Sequence, residues 1–125
     1  MWATYQYNVR QIFAAISAKF GKGSAAHFYG DTTREERAEA TRAFKDPESP
    51  VRFIVANPGS GKFGNNWQIA TTEVYYSNSY DLEARQQSED RAHRIGQTKS
   101  VTIVDLRCRG TVDEKIIRVL RAKKK

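Results

Sequence analysis

The run Val51-Arg52-Phe53-Ile54-Val55-Ala56 limits the possible folds of this chain more than any other stretch. It is short, β-branched and nearly all apolar, the pattern of a strand buried on both faces. Such strands belong to parallel sheets with helices on either side. The flanking sequence agrees. Trp2 to Tyr5 reads as a short strand, and Val9, Ile12, Phe13, Ile16 and Phe20 follow with the spacing of an amphipathic helix that Gly21-Lys22-Gly23 ends. Ala25 to Tyr29 predicts a strand closed by Gly30-Asp31. Thr33 with Glu36 opens a helix through Ala40, Ala43 and Phe44 as a capping box. Pro47 and Pro50 break the chain before the Val51 run, and a Gly- and Asn-rich loop spans Asn57 to Asn66 after it. Glu73 to Ser77 and Val101 to Leu106 predict two more strands. Thr111 and Glu114 predict a second capping box for a closing helix with Ile116, Ile117 and Leu120. Strand and helix alternate throughout, so the expected fold class is a three-layer α/β/α sandwich with a mainly parallel sheet. Ligands in such folds gather at the carboxyl ends of the strands.

At 125 residues the chain is expected to form one domain, too short for a complete multi-domain enzyme. No apolar run approaches the length that spans a membrane, and no secretory signal follows Met1. Cys108 is the single cysteine, which excludes a disulfide framework or a cysteine zinc cluster and points to an intracellular, reducing setting. The net charge of +7 is unevenly placed. Residues 1–84 carry nine basic and nine acidic side chains, whereas residues 85–125 carry twelve and five. That asymmetry suggests a polyanionic partner, nucleic acid or nucleotide phosphate.

The basic third opens with Gln87-Ser88-Glu89-Asp90-Arg91-Ala92-His93-Arg94-Ile95-Gly96-Gln97. Read as one helix at about 100° per residue, Gln87 sits at about 0°, Asp90 near about −60°, Arg91 near about +40° and Arg94 near about −20°. Four polar groups then share one face, His93 falls outside it, and Gly96 supplies the stop. A solvated surface helix with locally paired charges is the plainer alternative.

Gly59-Ser60-Gly61-Lys62 invites a P-loop reading, which the spacing rejects. Ala56 stands where G-x-x-x-x-G-K-[ST] needs its first glycine, and Phe63 replaces the magnesium-holding hydroxyl. What remains is a loop whose amides, Lys62 and Asn66 suit phosphate contacts. No Ser/His/Asp order stands out, Cys108 has no neighbouring histidine, and His27 reads as a strand-end residue.

Gln87-x-x-Asp90-Arg91-x-His93-Arg94-Ile95-Gly96-Gln97 resembles motif VI of Swi/Snf-like ATPases, a branch of superfamily-two helicases. Tyr29-Gly30-Asp31, with Arg37 and Phe44 beyond, resembles the segment before the third strand of those proteins. Asn57 to Gln68 resembles motif V, keeping Gly61, Gly64, Asn66 and Gln68. Gly110 to Lys115 resembles the start of their closing helix. Lys62 departs from a usual glycine, and Asn65 and Trp67 from usual aliphatic residues. The Asn57-Pro58 opening resembles bacteriophage helicases, which implies a viral protein in host cytoplasm.

The resemblance covers nearly the whole chain and implies the second, RecA-like lobe of a helicase motor over residues 1–125, with the first, ATP-binding lobe absent from this sequence. It implies that Arg91 and Arg94 act as arginine fingers toward ATP, that Gln87 positions phosphate or water, and that Asp90 holds an arginine in place. Gly61, Gly64 and Asn66 would lie on the nucleotide side; Asn57, Ser60, Lys62, Tyr29 and Gly30 would meet the nucleic acid. ATP and Mg2+ would be held mainly by the first lobe of the same parent chain, and the track would be duplex or forked DNA. The isolated lobe is expected to be inactive. A nucleic-acid-binding module of the same fold without ATPase function is the alternative.

Overall fold

The computed structural model describes residues 1–30, 32–58, 67–93 and 96–123. Helix α1 (Gln6–Phe20), strand β1 (Ala25–Phe28), helix α2 (Arg34–Lys45), strands β2 (Phe53–Ala56) and β3 (Thr72–Tyr75), helix α3 (Leu82–Glu89), strand β4 (Thr102–Asp105) and helix α4 (Val112–Lys123) follow in order. β1 pairs with β2 and β3 with β4, both in parallel.

Trp2 joins the two pairs, with parallel bridges to Ala56 on one side and Tyr75 on the other. The Trp2 amide donates to the Val74 carbonyl at 2.7 Å and the Ala3 amide to the Ala56 carbonyl at 2.9 Å. The expected first strand therefore survives as a very short central one, and the order is β1, β2, residues 1–3, β3, β4. Side chains alternate across this sheet. Ala3, Val9, Ile12, Ile16, Ala25 and Val55 form a core on the α1 face. Trp2, Phe28, Ile54, Ala56, Trp67 and Tyr75 form a second core on the opposite face, where Ala40 and Phe44 of α2 pack against it. Ile54, Val55 and Ala56 are all buried, as expected of a strand covered on both sides. The fold is the α/β class that the alternating pattern demands.

The helix ends carry their own signals. At α2 both halves of the capping box form, with the Thr33 hydroxyl accepting from the Glu36 amide at 3.1 Å. At α4 the cap differs from expectation. The Thr111 hydroxyl donates back to the Cys108 carbonyl at 2.6 Å, and the Asp113 carboxylate accepts the Cys108 amide at 3.1 Å. Ile116, Ile117 and Leu120 are buried as their spacing predicts. β4 is the exception to the buried-strand pattern: Ile103 and Val104 are both more than a third exposed.

Candidate functional site

The sequence predicts one helix running to Gly96, but α3 stops at Glu89 and Asp90 is its C-cap. A helix reaching Gly96 would need the carbonyls of Arg91 and Ala92, and both are taken elsewhere. The Arg91 carbonyl accepts the Trp67 amide at 2.9 Å, and the Ala92 carbonyl accepts the side-chain amide of Gln97 at 3.0 Å. Meanwhile the Arg91 amide reaches back only three residues, to the Ser88 carbonyl at 3.2 Å, in the tighter geometry that often ends a helix. Gln87, Asp90 and Arg91 therefore do not share the face of one continuous helix. Gln87 lies on α3 and donates to Glu83 at 3.2 Å; Asp90 is exposed at the cap; Arg91 is only 9 % exposed. His93, which falls outside that face, is exposed.

The same hydrogen bonds bring two distant segments together. Residues 67–70, where the motif V resemblance ends, are tied to residues 91–97. The Gln97 amide nitrogen also donates to the Gln68 carbonyl at 2.7 Å. Gly96 has a φ of +98°, and a Cβ there would stand 3.2 Å from the Gln68 side-chain nitrogen. Only glycine suits both the backbone sign and the close approach. Trp67, a departure from the family pattern, is accommodated by Trp2. Their rings lie 5.6 Å apart, Phe28 meets the Trp67 ring edge-on at 5.0 Å, and the indole N–H donates to Thr41 at 3.2 Å. Arg94, Ser60, Gly61, Lys62, Gly64 and Asn66 lie outside the described residues, as do Asn65 and Asp31.

Because the strands are parallel, their carboxyl ends share one edge, and three predicted nucleic-acid residues meet there. Tyr29 and Gly30 follow β1 and Asn57 follows β2. The Asn57 amide donates to the Phe28 carbonyl at 3.0 Å, and its side chain donates to the Thr4 carbonyl at the end of the central strand. Tyr29 stacks on His27 at 4.8 Å, carries the Arg10 guanidinium 5.5 Å from its ring centre, and lends its carbonyl to Arg37 at 3.1 Å. A Cβ on Gly30 would meet the Gln6 amide at 2.9 Å. Tyr5 and Tyr7, both 67 % exposed, stand just after the central strand. Sequence reading passed over them, although tyrosine twice at a strand-to-helix turn was visible.

Two buried polar clusters were also missed. Arg85 lies 3.6 Å over the Tyr75 ring and donates to Glu89 at 2.8 Å, to Asp105 at 2.7 Å and to Asn78 at 2.7 Å, binding α3 to β3 and β4. Its arginine-to-acid spacing of four residues to Glu89 was legible, whereas the reach to Asp105 was not. Glu73 is 4 % exposed, accepts the Trp2 indole N–H at 3.0 Å through Oε1, and leaves Oε2 buried without a hydrogen bond. Burial pushes its carboxyl up to about 7 against the pull of that indole bond.

Parallel strands sandwiched by helices, with two segments locked together beyond the sheet, define a layered α/β lobe. A solved structure of the C-terminal part of the Fun30 ATPase domain matches it at a TM-score of 0.84, with 23% identity, over 95% of this chain and 37% of that one. That likeness gives the fold, a RecA-like α/β lobe. By sequence, the chain is homologous to Swi/Snf-like helicases and chromatin-remodelling ATPases. It is 36% identical over 96 residues to a probable ATP-dependent DNA helicase, CHR12, of Arabidopsis thaliana. It is 35% identical over 96 residues to the chromatin-remodelling ATPase INO80 of Homo sapiens and 34% identical over 88 residues to the SWI/SNF complex subunit snf22 of Schizosaccharomyces pombe. These matches take in 77%, 77% and 70% of this chain but only 8%, 6% and 5% of those proteins. No protein-family model matches. Among the described residues, no helix is long and apolar enough to cross a membrane.

Proposed function

We propose that this chain is the second motor lobe of an ATP-dependent DNA helicase or translocase. In this reading Arg91 and Arg94 meet the γ-phosphate of ATP bound on a first lobe. Guanidinium forks match phosphate oxygens two at a time, and their charge is worth most where negative charge develops in the transition state. Gln87 positions phosphate or attacking water, Asp90 holds an arginine in its working rotamer, and Gly61, Gly64 and Asn66 lie on the nucleotide side. Arg91 is buried in the lobe by itself. Its guanidinium therefore turns outward, or meets phosphate at the mouth of its cleft, when the first lobe docks. Among the described residues no group of three His, Cys, Asp or Glu could hold a metal. Magnesium would supply charge neutralisation on the phosphates from the first lobe, and no step here runs through this chain's own carboxylates.

The observation that carries the proposal is the lock between residues 67–70 and 91–97. A movement of the arginine segment on nucleotide turnover would be transmitted by the Arg91–Trp67 and Gln97–Gln68 bonds to the stretch of chain just before Trp67, which contains Ser60 and Lys62. Together with Asn57, Tyr29 and Gly30, that stretch would hold the DNA backbone, duplex or forked, and lobe opening would become motion along it. The setting is intracellular; the Asn57-Pro58 opening suggests a phage protein in host cytoplasm, whereas the relatives named above are plant, animal and fungal. The test is ATP turnover by a protein that carries this lobe with its ATP-binding partner. Arg94→Ala or Arg91→Ala should lower it by roughly 10³-fold or more while the fold survives. Near-normal turnover in both variants refutes the finger assignment.

A further inference from the structure

The chain just past β4 and one face of α4 enclose a cleft of about 500 Å³. Its lining is Arg107, which follows β4, and Glu114, Ile117, Arg118, Arg121 and Ala122 of α4. The five helix residues recur at i, i+3, i+4, i+7 and i+8, so they share one side of the helix. Ile117 is buried, whereas all three arginines are exposed. The cleft therefore holds three cations against one carboxylate.

Other arginines serve the fold. Arg37 donates to the Thr32 and Tyr29 carbonyls, Arg42 pairs with Glu39, and Arg85 clamps α3 to β4. Among the described residues, none of Arg107, Arg118 and Arg121 makes a hydrogen bond or a salt bridge. Glu114 stands four residues ahead of Arg118, the order that favours a pair on a helix, and still does not bind it. Asp105, whose carboxylate feels the charge of Arg121, is already held by Arg85 and Asn78. Guanidiniums gathered in one cleft without acids of their own repel one another, and an anion with several oxygens relieves that by accepting from their forks.

Position indicates which anion. Arg107 follows the carboxyl end of β4, so it lies at the same sheet edge as Tyr29, Gly30 and Asn57. With neighbouring strands about 4.8 Å apart, the four steps from β1 to β4 set the cleft about 19 Å from Tyr29 along that edge. One DNA strand places about six phosphates over this distance, at about 3.4 Å each. Carboxylates of an acidic peptide would also accept from these arginines. The shared edge and the basic excess of residues 85–125 favour a continuous polyanion.

We propose that this cleft is a further phosphate-binding site for duplex DNA, holding the backbone at a second point beyond Tyr29, Gly30 and Asn57. It rests on the nucleic-acid reading above, and the test separates the two. The 125-residue chain is titrated with a duplex of about twenty base pairs at about 50 to 200 mM salt. One variant combines Arg107→Gln, Arg118→Gln and Arg121→Gln. A control combines Lys19→Gln, Lys22→Gln and Lys45→Gln, which removes the same charge from exposed positions near the opposite edge. The arginine variant should bind at least about tenfold more weakly, and its salt slope should shrink by about 2 to 3, at about 0.9 per lost phosphate contact. Each single arginine substitution should lower the slope by about 1, and the control should keep the wild-type slope within about 1. Equal losses in the two triple variants, or an unchanged slope in the arginine variant, overturn the cleft and leave DNA binding by the lobe intact. No binding by the wild-type chain overturns the nucleic-acid reading together with the cleft. Polyglutamate that binds more tightly than the duplex, with the same dependence on the three arginines, assigns the cleft to an acidic polypeptide and overturns the proposal as well.

Discussion

Replacing Arg85 by methionine should cost this lobe a large share of its stability. The guanidinium contacts Glu89 at 2.8 Å and Asp105 at 2.7 and 3.2 Å, and the three side chains are only 11, 10 and 18 % exposed. Methionine fills much of the space over Tyr75 but leaves two nearly buried carboxylates without their cation. Breaking a buried pair from one side costs about 3–5 kcal/mol, against a total of about 5–15 kcal/mol for a typical domain. At roughly 4 °C per kcal/mol for a chain of this size, the melting midpoint should fall by about 10–20 °C. The acid side gives an independent check. Burial alone would push Asp105 up, but the bonds from Arg85 and Asn78 outweigh it and hold the carboxyl below its usual value. The wild-type contribution is thus present at neutral pH and lost as pH falls through that depressed value. In the variant the stranded Asp105 carboxylate is relieved by protonation, so the stability gap should narrow as pH falls from about 7 toward 4. Urea unfolding across that range measures both effects. A loss below about 1 kcal/mol, or a gap independent of pH, would refute the clamp and class Arg85 with ordinary surface pairs.

Three more perturbations test the packing around the site. Glu73→Gln should gain stability relative to wild type as pH rises. The folded carboxyl titrates at about 7 against 4.5 when unfolded, so its contribution is complete below the lower value and lost as pH rises through the higher. The difference should grow by on the order of 3 kcal/mol between those limits; a flat difference between urea midpoints would contradict it. Gly96→Ala should cost about 1–3 kcal/mol from backbone strain at positive φ, and urea unfolding indistinguishable from wild type would sink that reading. Trp67→Ala should cost about 3–5 kcal/mol in the same assay, as expected for emptying a core ring position between Trp2 and Phe28.

Most of the architecture was legible because it rests on local rules. The apolar run at Val51–Ala56, the Thr33–Glu36 box and the Ile116, Ile117, Leu120 stripe each specify their own element, and their alternation specifies the layers. What sequence spacing could not show is where a neighbour from far along the chain takes a backbone group. Residues 90–93 have no helix-breaking residue among them, so periodicity carries α3 onward to Gly96; Trp67 and Gln97 take the carbonyls such a helix would need, through hydrogen bonds spanning 24 and 5 residues. The Trp67 position reads as a family departure until its partner Trp2 is placed. The Arg85 clamp is not legible in the sequence because Asp105, its second acid, lies twenty residues away on β4. Tyr29, Gly30 and Asn57 were assigned through the resemblance, and parallel strand order explains why residues so far apart in sequence share one edge.

The central claim is that this lobe completes an ATPase whose nucleotide is held elsewhere. It is tested most directly by measuring ATP turnover, with and without duplex DNA, for this 125-residue chain alone and for a longer chain that joins it to an ATP-binding first lobe. The account predicts background turnover for the lobe alone and DNA-stimulated turnover for the joined pair. Robust hydrolysis by the isolated chain, or a folded joined pair that turns over no ATP in the presence of DNA, would contradict it.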